Sequence, residues 1–160
     1  MKNDSLTTAF VREYIKPTKS TDTITYARNL KKFSIDYLKE KFNKKSNLLF
    51  SYDGDTLVLT QKEKRYIRNE LENLKTFNWN KNLFNVGKAI EGDKVWSALE
   101  NGTVNEVDVF SRPIFIRNNS IFLFYHIHFK GLGGPDYFGF FKQSGGQWKP
   151  WITIFSGILN

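Results

Sequence analysis

Two histidines separated by one residue are the side chains best suited to chemistry in this sequence. His126 and His128 are the only histidines, and in a β-strand their rings project from one face with Cα atoms about 7 Å apart. Such a pair can ligate a metal ion or exchange protons with a substrate. Because the chain has no cysteine, a zinc or iron site would need an acidic third ligand, for which Asp136 is the candidate.

The sequence leaves the role of this pair open between a structural and a catalytic one. Phe122 and Phe124 share its face of the strand, which favours partly buried imidazoles with hydrogen-bond partners. The alternative is a general acid–base pair of either histidine with Asp136, in a lyase or isomerase pocket. No nucleophile elbow or phosphate-binding loop accompanies them. We therefore predict no metal and no cofactor, and favour a non-enzymatic protein.

Positive charge is concentrated in the first half of the chain. The net charge is +8, and residues 1–90 carry 18 Lys and Arg against 10 Asp and Glu. A basic half suits nucleic acid, an anionic surface or an acidic protein. Lys outnumbers Arg 18 to 6, and Arg is the residue that grips phosphates and reads bases, so nucleic acid is disfavoured. The candidate basic face comprises Arg28, Lys32, Lys39, Lys64, Arg65 and Arg68.

Length and composition indicate a single domain over residues 1–160. The 160 residues are 16% aromatic, which is enough to form one buried core. No stretch reaches the ~18 to 20 apolar residues of a membrane span, and the start lacks the apolar segment of a signal peptide. We expect a cytoplasmic protein by default, or an exported or lipoprotein-anchored one if Met1 replaces a removed leader.

Helix and hairpin signals fill the first half of the sequence. Apolar residues at helical spacing predict a long helix over residues 22–43, with Asp22 as its N-cap. Residues 48–52 and 56–59 flank an Asp-Gly pair and predict a β-hairpin. Thr60 and Glu63 have the spacing of a capping box, which predicts a helix that continues to about residue 75.

The last fifty residues predict an antiparallel sheet. Runs of β-branched and aromatic residues at 109–116, 120–130, 137–142 and 148–155 are separated by turn-forming segments. The predicted fold class is therefore α+β, in which N-terminal helices and a hairpin precede a four-stranded antiparallel meander. Residues 76–107 follow no periodic pattern, and the sequence does not determine their role.

This sheet is too aromatic for either face to lie in water. Aromatic side chains occupy both alternating faces of residues 121–129 and recur at 137–141. One face should pack on the helices, and the other should be covered by residues 76–107, by a ligand or by a partner protein. The candidate binding residues are Phe122, Phe124, Tyr125, Tyr137, Phe138, Phe140, Trp148 and Trp151.

The order of the predicted elements resembles that of NTF2-like (cystatin-like) α+β domains, in which a curved sheet wraps around a long helix. The segment Gly146-Gln147-Trp148-Lys149 is similar to the turn that often leads into the last strand of such domains. This resemblance implies a pocket between sheet and helix. It leaves the function open, since these domains include dehydratases, isomerases, immunity proteins and non-catalytic modules.

A second resemblance lies in the C-terminal half. The segment Phe110-Ser111-Arg112-Pro113-Ile114-Phe115, followed by Asn118-Asn119 and a glycine-rich turn, resembles uncharacterised proteins from Bacteroidetes-type bacteria. Those proteins often carry cysteines around the turn, and this chain has none. The resemblance implies a lineage and no particular activity.

Three functions agree with these observations. The leading hypothesis is a non-enzymatic binding protein, most concretely a bacterial immunity-type protein that neutralises a toxin by protein–protein contact. The first alternative is an NTF2-like small-ligand binder or lyase/isomerase with an aromatic pocket around His126, His128 and Asp136. The second alternative is a nucleic-acid or anionic-surface binder that uses the basic face.

Overall fold

A computed structural model describes residues 4–17 and 23–159. Within these ranges the chain forms four α-helices and nine β-strands, and short 3₁₀ turns follow α3 and precede α4. The helices are α1 (Asp4–Tyr14), α2 (Lys32–Lys45), α3 (Gln61–Asn73) and α4 (Val95–Glu100). The strands are β1 (Ile24–Ala27), β2 (Leu49–Phe50), β3 (Thr56–Leu57), β4 (Gly87–Ile90), β5 (Glu106–Phe110), β6 (Ile114–Ile116), β7 (Ile121–Lys130), β8 (Gly134–Ser144) and β9 (Gln147–Leu159).

Seven of these strands form one mixed sheet, which confirms the α+β class. The strand order is β4-β1-β5-β7-β8-β9, and β6 also pairs with β7. Strand β1 runs parallel to β4 and β5, while the ladders from β5 to β9 are antiparallel. The sheet is thus larger than the predicted four-stranded meander, which corresponds to its antiparallel part.

The first strand of the predicted meander is divided in two. Strands β5 and β6 pair with successive halves of β7. Between them the Ser111 amide donates to the Tyr125 carbonyl, and the Ser111 hydroxyl accepts from the Tyr125 amide, both at 2.9 Å. Pro113 has no amide hydrogen with which to continue a ladder. Ser111 therefore satisfies the backbone hydrogen-bonding groups of Tyr125 in β7 at the break between β5 and β6.

The predicted helix over residues 22–43 is wrong in its first half. Residues 24–27 form β1, the helix begins only at Lys32, and Asp22 lies outside the described residues. Tyr26 is fully buried against the rings of Phe84 and Phe110, and its hydroxyl donates to the Asn80 carbonyl at 2.7 Å. The strand gains ladders with β4 and β5, and these tertiary contacts outweigh the helical periodicity.

The predicted hairpin and capping box are confirmed. Strands β2 and β3 pair with Leu49 opposite Leu57, and Gly54 in the turn has φ +89°, a backbone conformation that glycine adopts without strain. The Thr60 hydroxyl accepts from the Glu63 amide at 3.1 Å, and the Glu63 carboxylate accepts from the Thr60 amide at 2.8 Å. Helix α3 therefore begins where the sequence predicts.

The sheet buries most of its two faces, although Pro150 and Thr153 of β9 are exposed. We call them the α2 face, which packs on α2, α3 and the hairpin, and the α1 face, which packs on α1 and residues 77–84. On the α1 face Phe10 contacts Phe122 and Phe124, and the Trp79 indole donates to the Phe110 carbonyl at 3.2 Å. On the α1 face, residues 76–107 thus supply part of the cover, and α1 supplies another part. None of the helices within residues 4–17 and 23–159 is long and apolar enough to cross a membrane.

Candidate functional site

The two histidines lie on the α1 face at the end of the sheet that α1 leaves partly open. Both contact Asp108, which stands on β5 directly opposite His128 in the ladder with β7. One carboxylate oxygen, Asp108 Oδ1, lies 2.7 Å from His126 Nε2 and 3.0 Å from His128 Nδ1. The Asp108 side chain is only 13% exposed. A single shielded carboxylate therefore orients both imidazoles.

Further groups surround this cluster on both sides. Glu106 Oε2 lies 3.6 Å from His128 Nε2. The ring of Tyr14 meets that of His126 edge-on, with centroids 5.4 Å apart. Burial, and then the negative charge of Asp108, raise the pKa of the Tyr14 hydroxyl. The phenol therefore remains neutral beside the cluster at physiological pH.

Asp136 does not join the histidines. It lies opposite Ile127 in the β7–β8 ladder, so its side chain projects to the α2 face, whereas residues 126 and 128 project to the α1 face. Burial raises the pKa of the Asp136 carboxyl, and that carboxylate helps to raise the pKa of Tyr125 on the same face. The predicted acid–base pair is therefore not formed. Asp108 takes the place assigned to Asp136, because strand pairing and not sequence proximity selects the partner.

The space around the histidine cluster is small. The cleft that His128 and Asp108 line has a volume of about 60 Å³, whereas small-molecule sites usually measure about 300 to 1,000 Å³. Within the described ranges, no group of three or more His, Asp or Glu side chains is arranged to hold a metal ion. The arrangement can orient imidazoles and hold protons, and it joins β5 to β7.

The aromatic residues predicted to bind a partner mostly build the core. Phe122, Phe124, Phe138 and Phe140 are buried, between 0% and 1% exposed. Tyr125, Tyr137, Trp148 and Trp151 are partly buried against the same two cores. The four phenylalanines are therefore not accessible to a partner, because helices and loops of this chain cover them.

The predicted basic face is dispersed over several elements. Arg28 follows β1 and pairs with Glu91 at 3.0 Å, while Lys39 pairs with Glu72 at 2.5 Å. Lys64 is buried and donates to Asn47, and Arg68 donates to Asn43 at 2.7 Å. Of the six residues, Lys32 and Arg65 are the exposed ones. Most of the predicted cations are thus paired with neighbouring side chains and do not form one free basic surface.

The hairpin carries an apolar surface that sequence reasoning missed. Leu49 and Leu57 turn inward and are buried, whereas the neighbouring side chains turn outward. Four large apolar residues of this segment are between 57% and 105% exposed: Leu48, Phe50, Tyr52 and Val58. We call them the hairpin face. The runs LLFSY and TLVL are apolar at both alternating positions, and this was the available signal.

The hairpin is tied to the sheet and to α3 by polar contacts. The Trp151 indole donates to Asp55 Oδ2 at 3.0 Å, and Lys142 lies 3.5 Å from the same oxygen and above the Trp151 ring. On the other side Arg117 donates to the Val58 carbonyl at 2.7 Å and to Glu63 at 2.8 Å. These contacts join the turn of the hairpin to the sheet and its last residues to α3.

Lysines adjoin the hairpin face. Lys44 and Lys45 form the end of α2, just before the hairpin, and Lys62 lies in the first turn of α3, just after it. All three are exposed. Lys44 pairs with Glu40 on its own helix, a solvent-exposed contact of the kind that contributes little to stability. The apolar surface is thus flanked by lysines at the base of the hairpin, while Asp53 and Asp55 lie at its turn.

Comparison of the chain with protein-family models, with curated proteins and with solved structures gave no match. The two resemblances drawn from the sequence therefore remain predictions.

Proposed function

We propose that this chain is a non-enzymatic binding protein of the bacterial immunity type, which neutralises an acidic toxin by direct contact through the hairpin face. The observation that carries the proposal is the exposure of Leu48, Phe50, Tyr52 and Val58 on one hairpin that polar contacts join to the sheet and α3. Apolar and aromatic side chains grouped in this way mark protein contact surfaces.

Charge supports an acidic partner. The chain carries a net charge of +8, and Lys44, Lys45 and Lys62 adjoin the hairpin face. Lysines at the rim of an interface speed encounter with a negatively charged surface and disfavour a positive one. The partner surface should therefore be apolar at its centre and acidic where it meets these lysines.

The alternative functions have less support. A small-ligand binder or lyase/isomerase built on the histidines needs more room than the cleft of about 60 Å³ beside His128. A nucleic-acid binder needs contiguous free cations, and four of the six predicted ones bond to neighbouring side chains.

The test uses the product of the gene next to this one, which the proposal expects to be a toxin, purified and titrated with this chain by calorimetry. We expect Phe50→Ser combined with Tyr52→Ser to weaken binding at least tenfold, because both remove apolar area from the centre of the contact. The matched control is Ile158→Ser. Ile158 is also exposed, at 75%, and lies seven residues along β9 from Trp151, about 23 Å in a strand.

The same variants are compared in cells that express the toxin. Protection that is lost in the hairpin variant and kept in Ile158→Ser supports the proposal. Unchanged binding and protection in the hairpin variant would remove the hairpin as the docking surface. Failure of the unaltered chain to bind or protect against the toxin would remove the immunity function.

A further inference from the structure

An apolar groove lies between the start of α2, helix α4 and the sheet. Its volume is about 210 Å³. The rings of Phe33, Trp96 and Phe129 line it, with those of Trp96 and Phe129 edge-on at 6.5 Å. Phe33 is 80% exposed although it stands in the first turn of a helix whose other apolar residues are mostly buried. The groove is thus a second exposed apolar feature, separate from the hairpin face.

The size of the groove fits one large side chain better than a whole small-molecule ligand. Ligand pockets usually enclose about 300 to 1,000 Å³, and this groove offers about 210 Å³. Val95 and Val109 contribute aliphatic surface beside the three rings. Aromatic rings pack well against such walls, with offset or edge-on contacts.

The charge at the groove favours an acidic residue next to the side chain that enters it. Lys31 is the only charged residue that lines the groove within the described part of the chain, and Lys32 follows it on the surface. The first turn of α2 contains no acidic residue. Asp93 and Lys94 lie on the adjoining segment before α4 and offset one another in formal charge, and Glu91 beside them pairs with Arg28 at 3.0 Å. A carboxylate beside the inserted ring would therefore meet Lys31.

We propose that this groove is a second docking point for the protein partner, and that it receives an aromatic side chain with a carboxylate within one or two residues of it. This inference rests on the proposed function and adds the chemistry of the partner. Helix α2 has 14 residues, so its ends are about 21 Å apart. The groove adjoins one end and the hairpin face the other. An interface of ordinary size, about 800 Å² on each partner, spans that distance.

The groove is tested first without any partner, by nuclear magnetic resonance titration of the whole chain with N-acetyl-phenylalanine. We expect the Trp96 indole resonance, assigned with Trp96→Phe, to shift, with a dissociation constant on the order of millimolar for so small a probe. N-acetyl-phenylalaninamide, which lacks the carboxylate, should bind roughly threefold more weakly at low salt. The acid should lose that advantage in Lys31→Gln.

Two results of this titration would overturn the inference. One is a Trp96 resonance that does not move while the acid is added. The other is equal binding of the acid and the amide to the unaltered chain. Lys31 is exposed and lies at the helix boundary, so Lys31→Gln should fold normally, which a circular-dichroism melt checks.

The toxin titration separates this inference from the proposed function. We expect Lys31→Gln and Trp96→Ala each to weaken toxin binding threefold or more, by loss of the ion pair and of apolar contact. If the hairpin variant fails to bind while both groove variants bind normally, the second docking point is overturned and the proposed function stands. If the unaltered chain does not bind the toxin at all, the proposed function fails, and the groove as a docking point for that partner fails with it.

Discussion

His126 Nε2 lies 2.7 Å from Asp108 Oδ1, so side chains as well as backbone bonds join β7 to β5. The same oxygen lies 3.0 Å from His128 Nδ1. A shielded carboxylate requires such donors, because burial without them costs free energy. The histidines that suggested catalysis in the sequence therefore have a structural partner on the neighbouring strand.

We expect Asp108→Ala to lower the free energy of unfolding by about 1 to 3 kcal/mol, since it leaves two partly buried imidazoles without their acceptor. Urea denaturation measures this change. Glu106→Ala is the matched control, because Glu106 stands on the same strand but is more exposed and 3.6 Å from His128. Equal stability of the two variants would contradict a structural role for the Asp108 carboxylate.

We expect Phe122→Ala to cost about 3 to 5 kcal/mol of stability. Phe122 is fully buried, stacks on Phe141 at 5.1 Å and meets Phe10 of α1 at 4.6 Å. Phe33→Ala, at an exposed position, should change stability by less than about 0.5 kcal/mol. Thermal and urea unfolding of both variants test whether Phe122 is buried in the core. A small effect at Phe122 would show that the α1 face is not packed as described.

We expect Trp151→Phe to loosen the hairpin, because phenylalanine retains an aromatic ring but has no N–H to donate to Asp55. Amide hydrogen exchange in β2 and β3 should accelerate, while exchange in β7 should stay unchanged. If the hairpin face is the docking surface, toxin binding should weaken as well. Unaltered exchange in the hairpin would indicate that Arg117 and Lys142 hold it without the Trp151 donor.

The capping box of α3 should make stability depend on acid pH. Hydrogen bonds from Arg117, and further ones from Thr60, lower the pKa of the Glu63 carboxyl. Its stabilising contribution is therefore complete above the ordinary glutamate pKa and is lost as the pH falls through the lowered value. We expect Glu63→Gln to flatten the decline in melting temperature over that acid range.

Thr60→Ala, which removes the hydroxyl acceptor, should cost about 1 kcal/mol at neutral pH. Melting temperatures of the unaltered chain and the two variants, recorded from neutral to acid pH, test both expectations. A decline in Glu63→Gln as steep as that of the unaltered chain would assign the acid sensitivity to other carboxyls.

Buried phenols should limit stability at alkaline pH. Burial raises the pKa of Tyr137 to about 12 and raises that of Tyr125 further. A neutral phenol with a raised pKa stabilises the fold fully below its ordinary pKa, and this contribution is lost as the pH rises through the raised value. When tyrosinate absorbance is followed as the pH rises, we expect some tyrosines to ionise late and together with unfolding. Tyr137→Phe should extend the alkaline range of the folded state, and an unchanged alkaline midpoint would contradict this.

The sequence predicts local structure best where neighbouring residues satisfy one another. The capping box at Thr60 needs only Glu63, and the hairpin needs only the Asp-Gly pair between two apolar runs, so both were predictable. Strand β1 was not, because Tyr26 and its neighbours have helical spacing. They form a strand only because β4 and β5 lie on either side of them.

By itself the sequence determined the α+β class, the last strands, the start of α3 and the presence of two histidines on one face of a strand. Only the tertiary structure decided that Asp108 and not Asp136 meets those histidines, that the aromatic sheet is covered on both faces, and that the hairpin face remains exposed. The physical reason is that ladder register and layer packing join residues that are far apart in sequence, and local patterns do not contain that information.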